Sequence, residues 1–472
     1  MPTKTITLVK GDKVGAETDY RDALPVNMIA INKPIFGAQG YMLQYPGLVK
    51  FSESTDTSIN RGGIWNERFS DHYRVNGNRF YSVTDSGFQI ELGSVINDSL
   101  TVSLPYSFNT QGIISSGRFY LYDPVNGFRE VTDPDLGSPI DGVWVDGLYF
   151  FTDGEFIFHT DITDESSIDP LKFATAEFMP DKSLGVGKTQ DNKVIVFGRY
   201  TMEYFINVAQ DNFSFQRVPT RAIKIGIVST HCKTELSGVW YILGGRKEEC
   251  ISCHEVTVGR TTKIATREID KIIGTYSEED LKDTVLEAYT EDGYDFVVHH
   301  LPNETLLFNK TLAKLFGIEQ AWTVIRTGVC TCGIWRGRHF VFDVRLGEWV
   351  VGDRLNGNLG ILSETDSNQY DMPTEWLLFT PFVYLDDQSI DKLEIETIPG
   401  FTGSDDSSVF ISCTRNGHTY SKEWIEIYGG KGEYKKRFII RRLGYIRNWF
   451  GFKLRGLTKS RMAFSRGFID HG

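Results

Sequence analysis

Six cysteines, nine histidines and 62 acids are the raw material for chemistry in this chain. Cys250-x-x-Cys253 followed by His254 has the spacing of half a zinc site, and Cys330-x-Cys332 could supply the other half. The Cys-x-Cys spacing is atypical for a zinc knuckle, and free cysteine packs well as a small apolar residue, so packing is the favoured reading. His299-His300 falls on an expected strand. Adjacent strand residues point to opposite faces, so the two rings cannot chelate together. Ser237-Gly238 lacks the strand-turn-helix setting of a nucleophile elbow, and no glycine-rich loop opens a helix to cradle phosphate. Acids are plentiful, but no pair stands out for acid/base work. No catalytic residue, metal ligand or cofactor is assigned.

Ser412–Tyr420, SCTRNGHTY, is similar to the Asp-box hairpin of sialidase-like propellers. It occurs once, and Asn416 stands where that box prefers an acid, so it reads as a turn. Six cysteines in so long a chain do not make a disulfide framework. The N-terminus holds no apolar run long enough for a signal peptide, and no segment approaches a membrane span. A soluble protein, retained where it is made, is expected.

Charge is distributed unevenly. Lys431–Arg466 carries twelve Lys and Arg against one acid, Glu433, whereas the whole chain has 50 Lys+Arg and 62 Asp+Glu. The remainder therefore has a net charge of −23. Phe438, Ile439, Ile440, Leu443, Trp449, Phe450 and Phe452 interleave with the cations, which a disordered basic tail would lack. The segment is read as folded, with an apolar side in a core and a charged side turned outward. A basic face on an acidic body suits nucleic acid, or the acidic face of a second copy. The chain's net charge of −12 argues against the whole molecule coating DNA.

The elements that must carry these residues are mainly β. From residue 65 to 365, runs rich in Val, Ile, Phe, Tyr and Trp alternate with turn dipeptides such as Asn76-Gly77, Asn126-Gly127, Asp146-Gly147 and Asp153-Gly154. The units recur about every 40 to 50 residues, the period of propeller blades. Six blades are expected, with five to seven allowed; two packed sandwiches would give similar turn spacing. Ser277 and Asp280 form a capping box that predicts a helix over Tyr276–Glu291, between blades. The expected division is 1–55 as a segment packing with the C-terminal domain, 56–370 as a β-propeller, and 371–472 as a basic, β-sandwich-like docking domain.

Seven strings occur in order: DYRDALPVNMIA, GYMLQYPGL, TMEYF, STHCKTEL, IDKIIGTYSEEDL, WLLFTPF and RRLGYIRNWFGFKLRGLTKS. Together they resemble the tail-hub proteins of short-tailed phages, also called packaged-DNA stabilisation or head-completion proteins. The resemblance spans about 19–460 and departs from the family most over 85–135. It implies a structural virion protein of the tail with no catalysis, present in the bacterial cytoplasm during assembly. It implies six copies beneath the portal ring, a channel through which packaged double-stranded DNA passes, retention of that DNA, and attachment of tailspike and tail needle. No membrane contact is implied. An acidic channel wall would let DNA slide, because phosphate contacts are what hold it. The rival functions are a propeller-type glycoside hydrolase and a DNA-binding module.

On this reading Arg441, Arg442, Arg447, Lys453 and Arg455 are the candidate interface to the portal or a neighbouring subunit. Strand alternation puts Ile439 and Arg441 on one face of Phe438–Arg442, and Ile440 and Arg442 on the other. It likewise separates Lys453 and Arg455 from Leu454. The opposing reading is that carboxylates of the same domain satisfy these cations.

Overall fold

The computed structural model describes residues 3–9, 24–54, 57–176, 178–329, 333–399, 408–416, 419–430 and 432–472. Seven antiparallel sheets follow one another around a ring. Blade 1 spans 60–94, blade 2 spans 111–130, blade 3 spans 141–175 and blade 4 spans 183–217. Blade 5 spans 226–263 and blade 6 spans 285–325. Blade 7 comprises three strands over 337–363 and a fourth, Gly47–Ser52, from the other end of the chain. The fold is a β-propeller of seven blades, the upper end of the range read from the turns.

Local chemistry explains the repeat. Ser116-Gly117, Asp146-Gly147, Ser237-Gly238 and Asp292-Gly293 all have positive φ at both positions. Each forms a two-residue hairpin turn early in its blade, in blades 2, 3, 5 and 6. That twist matches the strands it joins. Ser237-Gly238 is thus a hairpin turn. Blade 2 is irregular: its inner edge is a stretch around Pro105 that touches the next strand through isolated bridges at Ser103 and Tyr106. Proline cannot donate to a ladder, so a regular strand stops there. Between blades, apolar clusters fill the gaps. Phe119 of blade 2 meets Tyr149 and Phe151 of blade 3 edge-on, at 5.2 and 4.8 Å.

The predicted helix over Tyr276–Glu291 is a correction. Ser277 does bond Asp280, with its backbone N–H at 2.8 Å and its hydroxyl at 2.6 Å from the carboxylate. The box caps a single 3₁₀ turn, Asp280–Asp283. Val285–Glu291 is the first strand of blade 6, paired residue by residue with Tyr294–His300. Ladder pairing and the Asp292-Gly293 turn outweigh the four-residue apolar spacing. A short helix lies earlier, at Arg267–Ile273.

Beyond the propeller two sheets pack face to face. One runs Met28–Ile31, Tyr41–Gln44, Ala463–His471, Gln388–Thr397, Phe438–Ile446, and Thr3–Thr7 also pairs with Ala463–His471. The other runs Glu375–Phe379, Trp449–Leu457, Ser408–Thr414, Trp424–Ile427. Trp376, Ile411, Ile440, Phe452, Leu454 and Phe464 lie in their shared core. Strand Met28–Ile31 is a wall between the two units. Met28 and Ala30 enter the sandwich core, while Ile29 and Ile31 join a propeller cluster with Tyr289 and Trp335. Buried aliphatic side chains of this kind stabilise by about 1.5–3 kcal/mol each. Asn27 bridges the units at the same place, donating to the carbonyls of Arg326 (3.1 Å) and Glu375 (2.7 Å).

Candidate docking surface

Two regions concentrate charge: the inner strands of the propeller and the open edge of the sandwich. In the propeller, Arg74, Glu287 and Asp141 have partners in the chain. Arg74, fully buried, donates from Nε to His72 Nε2 (2.9 Å) and from its two Nη atoms to the carbonyls of His339 (2.7 Å) and Val350 (2.8 Å). His339 and Val350 belong to blade 7, so Arg74 fastens the seam where the ring closes. Because His72 Nε2 accepts from Arg74, its Nδ1 carries the proton and donates to Asp343 (3.2 Å). Burial holds His72 neutral, with its pKa lowered to about 4. Asp343 also accepts from Arg345, whose guanidinium reaches Asp71 of blade 1 at 3.3 Å.

Blade 6 contributes Glu287. Its carboxylate accepts from His300 Nε2 (2.7 Å) and from the backbone N–H groups of His339 (2.9 Å) and Phe340 (3.3 Å). Burial alone would raise its pKa, but the hydrogen bonds from His300 and His339 hold it well below the carboxylate range. Asp141 accepts from Ser103 Oγ (2.6 Å), the N–H of Val186 (2.8 Å) and Lys233 Nζ (2.8 Å). It lines a cavity of about 890 Å³ with Trp144, Trp240, Lys233 and His231. These carboxylates are acceptors locked by donors of neighbouring blades.

The cysteine and histidine candidates are dispersed. Cys253 is buried, and burial pushes its thiol well above the usual range; Cys250 is exposed. His254 bonds the carbonyl of Ser252 at 3.2 Å. Cys330 and Cys332 lie outside the described residues, among which no three metal-ligating side chains converge. His299 packs on Trp322 with ring centroids 5.2 Å apart, while His300 stacks on Trp335 at 5.9 Å. In the Asp-box-like turn, Asn416 Oδ1 accepts from the N–H of Thr419 at 2.9 Å; Gly417 lies outside the described residues.

The sandwich edge differs. Strand Phe438–Ile446 ends its sheet, and strand Trp424–Ile427 ends the other. The expected alternation through Arg441 and Arg442 is corrected by a β-bulge. Ile390 pairs with Gly444 and Lys392 with Arg441, so Asp391 alone faces Arg442 and Leu443. Arg442 takes φ +61° at the extra residue. Both arginines are exposed, and Ile440 and Leu443 on either side are buried. Such a bulge kinks the strand and blunts a bare edge. Arg447 is exposed in the turn after the strand. None of the three makes an ion pair with another described residue.

The other two candidates sit on an inner strand. Arg455 forks onto Glu423, with both bonds at 2.7 Å, reaches Glu375 at 3.0 Å and covers the Phe410 ring at 4.4 Å. The hydrogen bond to Glu423 raises its pKa. Lys453 lies half-buried over the Tyr420 ring at 5.3 Å. The structure therefore gathers Arg441, Arg442 and Arg447 at one open edge and places Lys453 and Arg455 apart from it. Sequence reasoning passed over the propeller network altogether. Its signal was polar and charged residues inside apolar strand runs: His72 and Arg74 in HYRVN, Glu287 in VLEAY, Arg338 and His339 in GRHFVF.

Comparison with known families settles the relationship. Residues 4–367 match the family described as "Bacteriophage P22 Gp10, beta-propeller", and residues 375–472 match "Bacteriophage P22 Gp10, beta-sandwich". The chain belongs to this family. It is 30% identical, over 98% of both chains, to the "Tail hub protein gp10" of Salmonella phage P22. The chain has both folds named in those descriptions, a propeller followed by a sandwich. Solved structures similar to it include a streptogramin B lyase, at 12% identity, TM-score 0.45, with 67% of this chain and 97% of that chain covered. Another is the N-terminal domain of Nup159, at 10% identity, TM-score 0.41, covering 72% and 99%.

Proposed function

We propose that this tail hub is a structural ring protein of the virion tail. Six copies assemble beneath the portal in the host cytoplasm, continue the DNA channel, retain the packaged genome, and offer attachment to tailspike and tail needle. The observation that carries the reading is the family relationship over both units of the chain. Glu287 and Asp141 are occupied by donors of this chain, in keeping with a structural role. On this reading Arg441, Arg442 and Arg447 face the portal or a neighbouring subunit, and Arg455 organises its own domain. The test is a mass measurement of the purified chain, alone and with portal rings. A complex carrying six copies per ring is expected. Failure to bind the portal, or particles that hold their DNA without this chain, would overturn the reading.

A further inference from the structure

The sequence between Val131 and Leu171 contains ten acids and no Lys or Arg. This run builds most of blade 3. The first cation after it, Lys172, is spent on Asp161 (2.7 Å) and Asp169 (3.7 Å). Asp133, Asp135, Asp153, Glu155 and Asp164 make no ion pair with another described residue. The outer strand of this blade, Asp164–Thr175, is the longest among the described residues at 12 residues; no described strand pairs with its far side, where the N–H of Ile168 donates to Asp133 at 3.2 Å. Leu171 is 76% exposed on it, with Phe173 half-exposed and Ile162 73% exposed in the turn before it. A long edge strand bearing apolar side chains invites another chain unless something covers it.

The sandwich edge is its complement. Ile425 and Ile427 are exposed on one edge strand, and Tyr445 stands beside Arg441, Arg442 and Arg447 on the other. Within one copy the two surfaces are held apart. The sandwich is seated at the seam of blades 6 and 7: Val26 bridges Val324 of blade 6, and Ser460 bridges Asp366, just past the end of blade 7. Blade 3 lies three and a half positions from that seam, half of the seven around the ring. Two complementary faces at opposite ends of one molecule make a head-to-tail contact, which closes into a ring when the rotation allows.

We propose that the outer edge of blade 3 receives a second copy of this chain. The neighbour's sandwich edge lays Ile425, Ile427 and Tyr445 against Leu171 and Phe173, and its arginines meet the unpaired acids around them. Arginine's planar fork suits carboxylates, and opposed potentials fix the register of the contact. The inference rests on the ring reading above.

The test places a photo-crosslinking benzoylphenylalanine at Phe173 in the full chain, mixed with isotope-labelled copies and bound to portal rings. Crosslinks from Phe173 to the 424–449 region of a different copy are expected. A second arm reverses charge. Asp164→Lys with Glu155→Lys lowers ring yield by about tenfold, and Arg441→Glu with Arg442→Glu in the same chain restores it. Crosslinks from a portal-bound ring that reach only other tail proteins or DNA, or none at all, would overturn this interface and leave the tail-hub reading standing. A chain that never joins the portal overturns both.

Discussion

Arg74 and Arg442 are the same residue in two opposite situations. Arg74 is sealed between blades 1 and 7, and its donors all end on groups of this chain. Arg442 stands on a bulge at a sheet edge with its guanidinium in solvent. A buried cation without partners is too costly to keep, so the propeller had to supply carbonyls and a histidine for Arg74. An exposed cation needs nothing, and its freedom leaves it available to another molecule. Position in the fold therefore separates the cations that hold the chain together from those that present a surface.

The contrast is broken most severely by acid. His72 and His339 have pKa values lowered to about 4 by burial, and His299 to about 3. An unfolded histidine takes up its proton near pH 6.5. The stability tied to the neutral rings is thus complete above pH 6.5 and is lost as pH falls toward 4. At pH 5 one such ring costs about 2 kcal/mol. Glu287 adds to the loss below its unfolded value near 4.5. Urea melts at pH 7.5 and 5.0 should show this drop in midpoint; equal midpoints would mean that the folded rings accept protons.

Next in size is the seam. Arg74→Met removes the donors of two buried carbonyls and of His72, at a cost of about 3 kcal/mol. Denaturant unfolding measures it, and a loss below 0.5 kcal/mol would show that blades 1 and 7 close without this stitch.

The split between these regions explains which features are legible in the sequence. Asp146-Gly147 announces its hairpin because the turn chemistry is local. The closing strand of blade 7 is hidden, since Gly47–Ser52 comes more than 300 residues before its partner Leu359–Ser363. The 276–291 stretch misleads because Ser277 and Asp280 do make their capping bonds, and only the ladder with Tyr294–His300 fixes the chain beyond Thr284 as a strand. The basic segment is readable as a folded surface. Which cations stay free is not, because Arg455 finds Glu423 and Glu375 across a sheet, and the Arg442 bulge depends on the partner strand.

Arg455 sharpens the comparison on a smaller scale. Its side chain is about a quarter exposed, so the forks to Glu423 and Glu375 are partly screened. Arg455→Ala should cost about 1 kcal/mol, read as a lower melting midpoint of the sandwich. It should leave association with other copies unchanged at matched folded concentration. Loss of association with stability intact would move Arg455 to the side of the docking cations.

The smallest expected change in stability belongs to the open edge, and there the functional effect should be greatest. Arg442→Glu with Arg447→Glu removes no hydrogen bond to a described residue, and surface changes of this kind stay within about 0.5 kcal/mol. Circular dichroism and the unfolding midpoint should match the unchanged chain. Assembly on portal rings should fail at low salt, where an acid now faces acids. High salt screens exposed charges over about 3 Å at 1 M. It should relieve that repulsion without restoring the lost arginine forks, so assembly recovers in part. Equal assembly at both salt concentrations, with the fold intact, would show that these free arginines face solvent in the finished tail. Apolar contact alone would then have to carry the ring.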